Sequence, residues 1–156
     1  MTPPPFQRLL DEHADALLRF CVAHAGANDG DDVFQETVLA ALRAYPRLRH
    51  TDNLRGWLLT IAHNKALDHH RGRAKRPVPV EDPELRAVSE AEVLPDDALW
   101  RAVRELPGKQ RGAVLLRFVG DLSHREIAAA LGSTEAAARR SLADGLAKLR
   151  TEWTPA

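Results

Sequence analysis

The chain has 156 residues, a length suited to one ordinary domain or two small ones. Its 22 Lys and Arg residues balance 22 Asp and Glu residues, and hydrophobic residues make up 44%, close to the average of soluble globular proteins. This composition excludes a disordered chain and a fibrous repeat. The longest apolar run covers about five residues, against the roughly twenty that a membrane-spanning helix needs.

The sequence also indicates the cellular location of the protein and limits its cysteine chemistry. The N-terminus lacks the basic and apolar regions of a secretory signal, and the single cysteine, Cys21, cannot form an internal disulfide. We therefore expect a cytoplasmic protein without membrane insertion.

Charge alternates in four blocks along the chain. Residues 1–40, 41–76, 77–100 and 101–156 carry net charges of −5, +7, −6 and +4. Lys and Arg neutralise phosphates, whereas acidic neighbours weaken that attraction. The pattern therefore favours two nucleic-acid contacts within a larger complex over one strong stand-alone DNA binder.

Helical periodicity dominates the first half of the chain. Apolar residues recur at helical spacing over residues 6–25, and GANDGDD at 26–32 is typical of a turn. A second helix, DDVFQETVLAALRAY, is predicted to stop before Pro46. A polar loop at 47–53 leads into a third helix that begins at Leu54 and ends in the basic sequence RGRAKR.

The second half begins with a linker. Residues 77–95 contain four prolines and five acidic groups, a composition typical of a flexible connection. Helical patterns resume at Asp96, and no strand-like alternation is found. The sequence thus predicts an all-α fold: two small helical bundles, at residues 6–76 and 96–152, joined by an acidic proline-containing linker.

The C-terminal bundle carries a helix-turn-helix pattern. Ser123 and Glu126 form a capping box, Gly132 permits a sharp turn, and Thr134 is placed to cap the next helix. The buried stripe of that helix is predicted at Ala138, Leu142, Leu146 and Leu149. Such a pair of helices places the second one in the DNA major groove. A plain helical hairpin with solvated arginines remains an alternative at this point.

Two further polar surfaces stand out. A stripe along the third helix comprises Thr60, His63, Asn64, Leu67 and Arg71. Amides and basic groups on one face can contact base edges and phosphates, although a merely solvated face fits equally well. An acidic surface near the start of the second helix comprises Asp31, Asp32, Gln35 and Glu36, and either complements the helix dipole or docks a basic partner.

Residues suited to catalysis are not grouped. The sequence has no nucleophile–base pair, phosphate-binding glycine loop or spaced carboxylate pair. His69 and His70 occupy successive positions and diverge around a helix, so they do not indicate a metal site. We expect neither an enzyme nor a bound cofactor.

Taken in order, these segments resemble a bacterial RNA polymerase sigma factor of the sigma-70 family, in the extracytoplasmic-function (ECF) group. The resemblance covers residues 6–150. DDVFQETVLAALRAY resembles the polymerase-docking helix, and LRGWLLTIAHNKALDHHR resembles the helix that recognises the minus-ten promoter element. LPGKQRGAVLLRFVGDLSHREIAAALGSTEAAARRSLADGLAKLR resembles the module that recognises the minus-thirty-five element.

The resemblance implies a role for each group of residues. The coiled-coil clamp of the largest subunit of core RNA polymerase would be contacted by Asp31, Asp32, Gln35 and Glu36. The loop around Asn53 and Arg55 would capture an unstacked base of the melted minus-ten strand, which converts recognition into strand opening. The same promoter region would be followed by Thr60, His63, Asn64 and Arg71. The minus-thirty-five element would be met by Glu135, Ala137, Arg139 and Arg140.

The implied function is a dissociable initiation subunit with core RNA polymerase, promoter DNA and an anti-sigma factor as partners. Ala143 and Asp144 stand where the family often has basic or bulky polar residues, so a promoter sequence cannot be transferred from relatives. Two alternatives remain: an autonomous helix-turn-helix transcription regulator, and a sigma-like adaptor without initiation activity.

Overall fold

The computed structural model describes residues 4–49, 52–75 and 98–152. The predicted linker at 77–95 and the predicted start of the second bundle at Asp96 lie outside these residues. Within the described ranges the secondary structure is helical and contains no strand. The prediction of an all-α fold is confirmed.

The first bundle contains three long helices. They are α1 (Phe6–Ala25), α2 (Ala27–Ala44) and α3 (Leu54–Lys75), with a 3₁₀ turn at Tyr45–Arg47 after α2. As predicted, α2 ends before Pro46, but Tyr45 keeps helical geometry, with a φ of −56° and a ψ of −43°, and begins the 3₁₀ turn.

The second bundle contains four helices among the described residues. They are α4 (Ala98–Glu105), α5 (Gly108–Phe118), α6 (His124–Leu131) and α7 (Glu135–Glu152). Helices α6 and α7 form the helix-turn-helix.

The junction between α1 and α2 differs from the prediction. The sequence predicted a turn over residues 26–32, but α2 already begins at Ala27. Gly26 alone reverses the chain, with a φ of 92° that residues with side chains rarely adopt. Gly30 lies inside α2 and against α1, since a Cβ built on it would be 2.7 Å from the Cα of Val22. This glycine permits a close approach of two helices and does not form a turn.

The helix-turn-helix forms as predicted. The hydroxyl of Ser123 accepts a hydrogen bond from the backbone N–H of Glu126 at 3.2 Å, and the Glu126 carboxylate accepts one from the backbone N–H of Ser123 at 2.9 Å. This capping box starts α6. Gly132 turns the chain with a φ of 63°, and the hydroxyl of Thr134 accepts a hydrogen bond from the backbone N–H of Ala137 at 3.1 Å. Both α6 and α7 are thus capped at their N-termini.

The two bundles share one hydrophobic core. Phe20 of α1 and Leu115 of α5 belong to the same cluster of buried side chains, because α5 packs against α1 and α3 and α6 packs against α3. The sequence predicted two bundles, but nothing in its local patterns predicted that one would pack on the other.

Three glycines of the second bundle lie along one side of α3. The contacting pairs are Gly108–Leu67, Gly112–His63 and Gly120–Leu59. The closest approach is at Gly112, where a built Cβ would lie 2.4 Å from Cε1 of His63. The absence of side chains at these positions allows the second bundle to approach α3 closely.

We expect Gly30→Ala to destabilise the fold by about 1–3 kcal/mol, the typical cost of inserting a carbon into a well-packed core. The new Cβ meets the backbone of Val22, which cannot move without a shift of α1. Helix propensity acts in the opposite direction and favours Ala over Gly by about 1 kcal/mol. Urea unfolding monitored by circular dichroism distinguishes the two effects, and a variant more stable than the wild type would contradict this packing.

Candidate polymerase and promoter interfaces

The outer face of α2 is acidic. It carries the four predicted docking residues: Asp32, Gln35 and Glu36, which are exposed, and Asp31, which is partly buried. On the other side of the helix, Val33 is completely buried in the core. The four polar side chains therefore share an accessible surface, and its binding to polymerase stays a prediction.

Two leucines extend this face. Leu39 and Leu42 are 52% and 50% exposed, although leucine side chains are more often buried. They follow Gln35 and Glu36 by one to two helical turns, so the acidic surface continues into an apolar ridge. Sequence periodicity did not identify this ridge, because an apolar residue in a helix is first assigned to the core.

Asp29 connects α2 to α3. Its carboxylate lies 3.3 Å from Nε2 of His69, and its side chain is 10% exposed. A carboxylate oxygen of Asp32 lies within 4.8 Å of a carboxylate oxygen of Asp29 and of a ring nitrogen of His69. Because Asp29 and His69 already contact each other, we interpret this group as an interhelical pair.

The polar stripe predicted on α3 is only partly exposed. Asn64 and Arg71 are accessible, and the Arg71 guanidinium lies 3.7 Å from the carboxylate of Asp68. Thr60 is partly buried and donates a hydrogen bond to the carbonyl of Gly56 at 2.7 Å. In this arrangement, the accessible part of the stripe lies toward the C-terminal half of α3.

His63 departs from its predicted position. It was expected on the exposed, DNA-facing side of α3, but it is only 3% exposed. The His63 ring lies between α1, where its Nδ1 is 2.9 Å from Nε2 of His24, and α5, where Gly112 lies directly against it. A DNA contact by this ring therefore requires the two bundles to separate.

Asn53 and Arg55 are also engaged by the second bundle. The amide of Asn53 donates a hydrogen bond to the Glu126 carboxylate, and its oxygen accepts one from the backbone N–H of Gly56 at 2.9 Å. The Arg55 guanidinium donates to the carbonyl of Val119 at 3.2 Å. The two residues predicted to capture an unstacked base are thus bonded to other parts of the chain.

Three histidines and an arginine lie where α1, α3 and α5 meet. Nη1 of Arg111 lies 2.8 Å from Nε2 of His70 and 3.5 Å from the carbonyl oxygen of His24. Burial holds the pKa of His24 well below its usual value, and the charges of His63 and Arg111 lower it further. Burial and Arg111 also lower the pKa of His63 to about 4. Both rings are therefore neutral at neutral pH.

The N-terminal half of α7 presents an accessible polar face. The residues predicted to meet the minus-thirty-five element are all exposed: Glu135, Ala137, Arg139 and Arg140. The Arg139 guanidinium lies 3.0 Å from the carboxylate of Glu135. Arg140 lines an open groove together with Lys109 at the start of α5. Sequence analysis missed Lys109, because it lies about thirty residues earlier and joins this surface only in the folded chain.

Comparison with known families identifies both bundles. The Sigma-70 region 2 profile matches residues 9–76, and the Sigma-70 region 4 profile matches residues 96–149. The ECF RNA polymerase sigma factor SigD of Mycobacterium tuberculosis is 33% identical in an alignment of 160 positions, gaps included, that covers 94% of this chain and 76% of SigD. This chain belongs to the ECF sigma factors.

Other ECF sigma factors are longer. BldN of Streptomyces coelicolor is 34% identical over 143 residues, which cover 85% of this sigma factor and 54% of BldN. SigG of Mycobacterium tuberculosis is 32% identical, with 45% of its length covered. The chain thus spans about half the length of these two relatives.

Solved sigma factor structures share the fold. The sigma factor RpoE of Bartonella quintana, solved with the anti-sigma factor NepR, superposes with a TM-score of 0.74 at 20% identity over 94% of each chain. CnrH, solved with the cytosolic domain of CnrY, gives a TM-score of 0.66 at 25% identity over 94% of this chain and 85% of CnrH. In the described part of this sigma factor, no helix has the length and apolar character needed to span a membrane.

Proposed function

We propose that this sigma factor binds core RNA polymerase, directs it to specific promoters and helps to open the DNA at the minus-ten element. The observation that supports this proposal is that a chain of this family exposes two different surfaces. One is the acidic face of α2, and the other is the face of α7 with two arginines, on the second helix of the helix-turn-helix. A DNA-binding regulator needs only the second face. An initiation subunit needs both.

The acidic face of α2 is the proposed polymerase contact. Its carboxylates would meet a basic surface on the clamp of the largest subunit, and Leu39 would enter an apolar pocket beside it. Leu39 follows Gln35 by four residues and Glu36 by three, so it lies between them on the same face. Complementary charges mainly speed the encounter, whereas a desolvated apolar centre supplies much of the affinity.

The proposed minus-ten contact consists of α3 and the loop that precedes it. Asn64 and Arg71 are accessible, whereas Asn53 and Arg55 must first leave their partners in the second bundle. Extracting a base from the stack costs a few kcal/mol, so the side chains that capture it must be free to bond it. Separation of the bundles is therefore part of the proposed initiation step.

An anti-sigma factor is a further proposed partner. RpoE, which shares the fold, was solved with NepR, and CnrH was solved with the cytosolic domain of CnrY. A protein that covered α2 would block the proposed polymerase contact, and one that covered α3 would block the proposed promoter contact.

A sigma-like adaptor that binds polymerase without starting transcription is the second candidate. Ala143 and Asp144 are exposed on α7 and add no positive charge to the side that would face DNA. This observation favours a weak minus-thirty-five contact. It does not affect the proposed docking face on α2.

Run-off transcription with purified core enzyme distinguishes these functions. On templates with randomised minus-ten and minus-thirty-five elements, we expect transcripts with defined starts only when this sigma factor and the core enzyme are both present. An adaptor would bind the core enzyme without producing defined starts. An autonomous regulator would bind its operator unaided, typically with a Kd of about 10⁻⁸ to 10⁻¹¹ M.

Replacement of Asp31, Asp32 and Glu36 together by lysine should abolish binding to core RNA polymerase while helix content is retained. The side chains lie on the outer face of α2, so charge reversal affects the partner surface more than the core. Pull-down of core enzyme measures binding, and circular dichroism measures helix content.

The matched control makes the same change in charge on α1. Asp11, Glu12 and Asp15 are exposed there, and their replacement by lysine should leave polymerase binding intact. Equal loss of binding in both triple variants would indicate a general charge effect. Undiminished binding by the α2 variant would remove the docking assignment.

Arg139→Ala and Arg140→Ala should have different effects on the minus-thirty-five element. The ion pair with Glu135 orients the Arg139 guanidinium, so that it can form paired hydrogen bonds with a guanine. Arg139→Ala should therefore relax the preference at one base pair by about 1–3 kcal/mol. Arg140 and Lys109 border a groove suited to a phosphate. Loss of Arg140 should therefore weaken all promoters alike and reduce the salt dependence by about one unit.

Open-complex formation across a library of minus-thirty-five variants, at two salt concentrations, measures both effects. Arg150→Ala, at the exposed far end of α7, is the matched control. If Arg139→Ala and Arg140→Ala behaved like the control, this helix would not recognise the promoter and the adaptor would be favoured.

A further inference from the structure

The contact between the bundles determines which ring nitrogen of His70 can carry a proton. Arg111 can only donate hydrogen bonds, so Nε2 of His70, 2.8 Å from Nη1, must accept and carries no proton. The carbonyl oxygen of His24 lies 3.4 Å from this Nε2 and 3.5 Å from Nη1. A proton on Nε2 would convert His70 from an acceptor for Arg111 into a second donor competing for that carbonyl.

His24 and His63 share a similar constraint. Nε2 of His24 and Nδ1 of His63 are 2.9 Å apart in the buried contact, so one of the two nitrogens donates and the other accepts. A second proton would leave two donors facing each other. Among the described residues, Nδ1 of His24 has no hydrogen-bond partner, so a charge on that ring would gain no compensating acceptor.

We propose that this cluster is a proton-sensitive latch between the second bundle and α3, and that protonation of its histidines opens it. The latch comprises His24, His63, His70 and Arg111. When it is closed, α5 covers His63 and the second bundle binds the loop at Asn53 and Arg55. The consequence for promoter DNA rests on the proposed function, whereas the opening itself does not.

The charged groups that act on His70 lie on α5, on α2 and on α3 itself. Burial lowers the pKa of His70 most, and Arg111 on α5 lowers it further. The hydrogen bond to the backbone carbonyl of His24 on α1 raises this pKa, as does Asp29 on α2, while His69 on α3 lowers it. Arg104 on α4 adds a second positive charge near Arg111. At His70, burial and the charge of Arg111 therefore outweigh the carboxylate of Asp29.

Acid should open the latch. Burial and Arg111 lower the pKa of His63 from 6.5 to about 4 in the closed arrangement, and opening removes Arg111 and admits water. Because the open state binds the proton more tightly, the closed state loses stability as the pH falls from about 7 towards 4. A histidine that regains its ordinary pKa on opening shifts the equilibrium about tenfold towards the open state between pH 8 and pH 5.5. His70, whose pKa is also lowered in the closed arrangement, would add to this shift in the same direction.

Small-angle X-ray scattering of the full chain at two pH values tests the latch. We expect the wild type to be compact at pH 8 and to expand at about pH 5.5, with loss of hydrogen-exchange protection at residues 53–60. The double variant His63→Gln with His70→Gln keeps a donor and an acceptor at both positions but cannot gain a proton. It should lose most of the acid expansion.

Two controls separate latch opening from other acid effects. His13→Gln replaces a histidine of α1 that is not part of the latch, so this variant should expand as the wild type does. Circular dichroism at both pH values should show unchanged helix content, because the two bundles separate without unfolding.

A pair of alanine variants tests the contact without protonation. Gly112→Ala would place a Cβ 2.4 Å from Cε1 of His63, so the second bundle should be displaced at both pH values. Gly108→Ala adds the same group to α5 but meets only the end of the Leu67 side chain at 3.2 Å. This matched variant should stay closed at pH 8.

The latch would be overturned by a wild type that is equally compact at both pH values, or by equal acid expansion of the wild type and the double glutamine variant. A compact Gly112→Ala variant would overturn the contact itself. These measurements use neither DNA nor polymerase. A sigma factor without a latch would fail them and still produce defined transcripts, so failure of the latch and failure of the proposed function are distinguishable.

Discussion

The approach of α5 to α3 at Gly112 is the contact on which the arrangement of the two bundles depends. Because this residue has no side chain, the ring of His63 can lie directly against α5. The preceding residue, Arg111, then reaches Nε2 of His70 and the carbonyl of His24. A larger residue at position 112 would separate the helices and remove both of these polar contacts. The close packing at Gly112 and the hydrogen bonds of Arg111 therefore have one steric origin.

This contact divides the candidate functional surfaces into two classes. The outer face of α2 and the N-terminal half of α7 remain accessible when the bundles are packed together. The loop at Asn53 and Arg55 is bonded to the second bundle, and His63 is buried. An order of events follows if the proposed function holds. Docking through α2 can occur in the closed arrangement, whereas contact with the melted minus-ten strand requires opening first.

Predictions from the sequence succeeded where the determining residues are close together in the chain. The stop before Pro46 and the turn at Gly132 depend only on immediate neighbours, and both were confirmed. Gly30 was wrongly assigned to a turn, because glycine serves both in turns and in close helix contacts and only the position of α1 decides between them. The burial of His63 could not be predicted either. Periodicity placed His63 on the polar side of α3, but it does not show that His24 of α1 and a helix containing Gly112 will enclose its ring.

The contact between the bundles combines buried apolar side chains with hydrogen bonds, and the hydrogen bonds are the part that can be exchanged for others if the bundles separate. Asn53, Arg55 and Arg111 each make hydrogen bonds across it, and a typical hydrogen bond contributes only about 0.5–1.5 kcal/mol net, because water replaces the partner when the contact opens. Separation of the bundles would also expose part of the shared hydrophobic core, at a cost of roughly 25 cal/mol per Å² of apolar surface with no such replacement. The same donors can bond equally well to phosphates or base edges. Promoter DNA would therefore compete for these side chains directly, and the energy needed to open the bundles would be partly recovered in the new contacts.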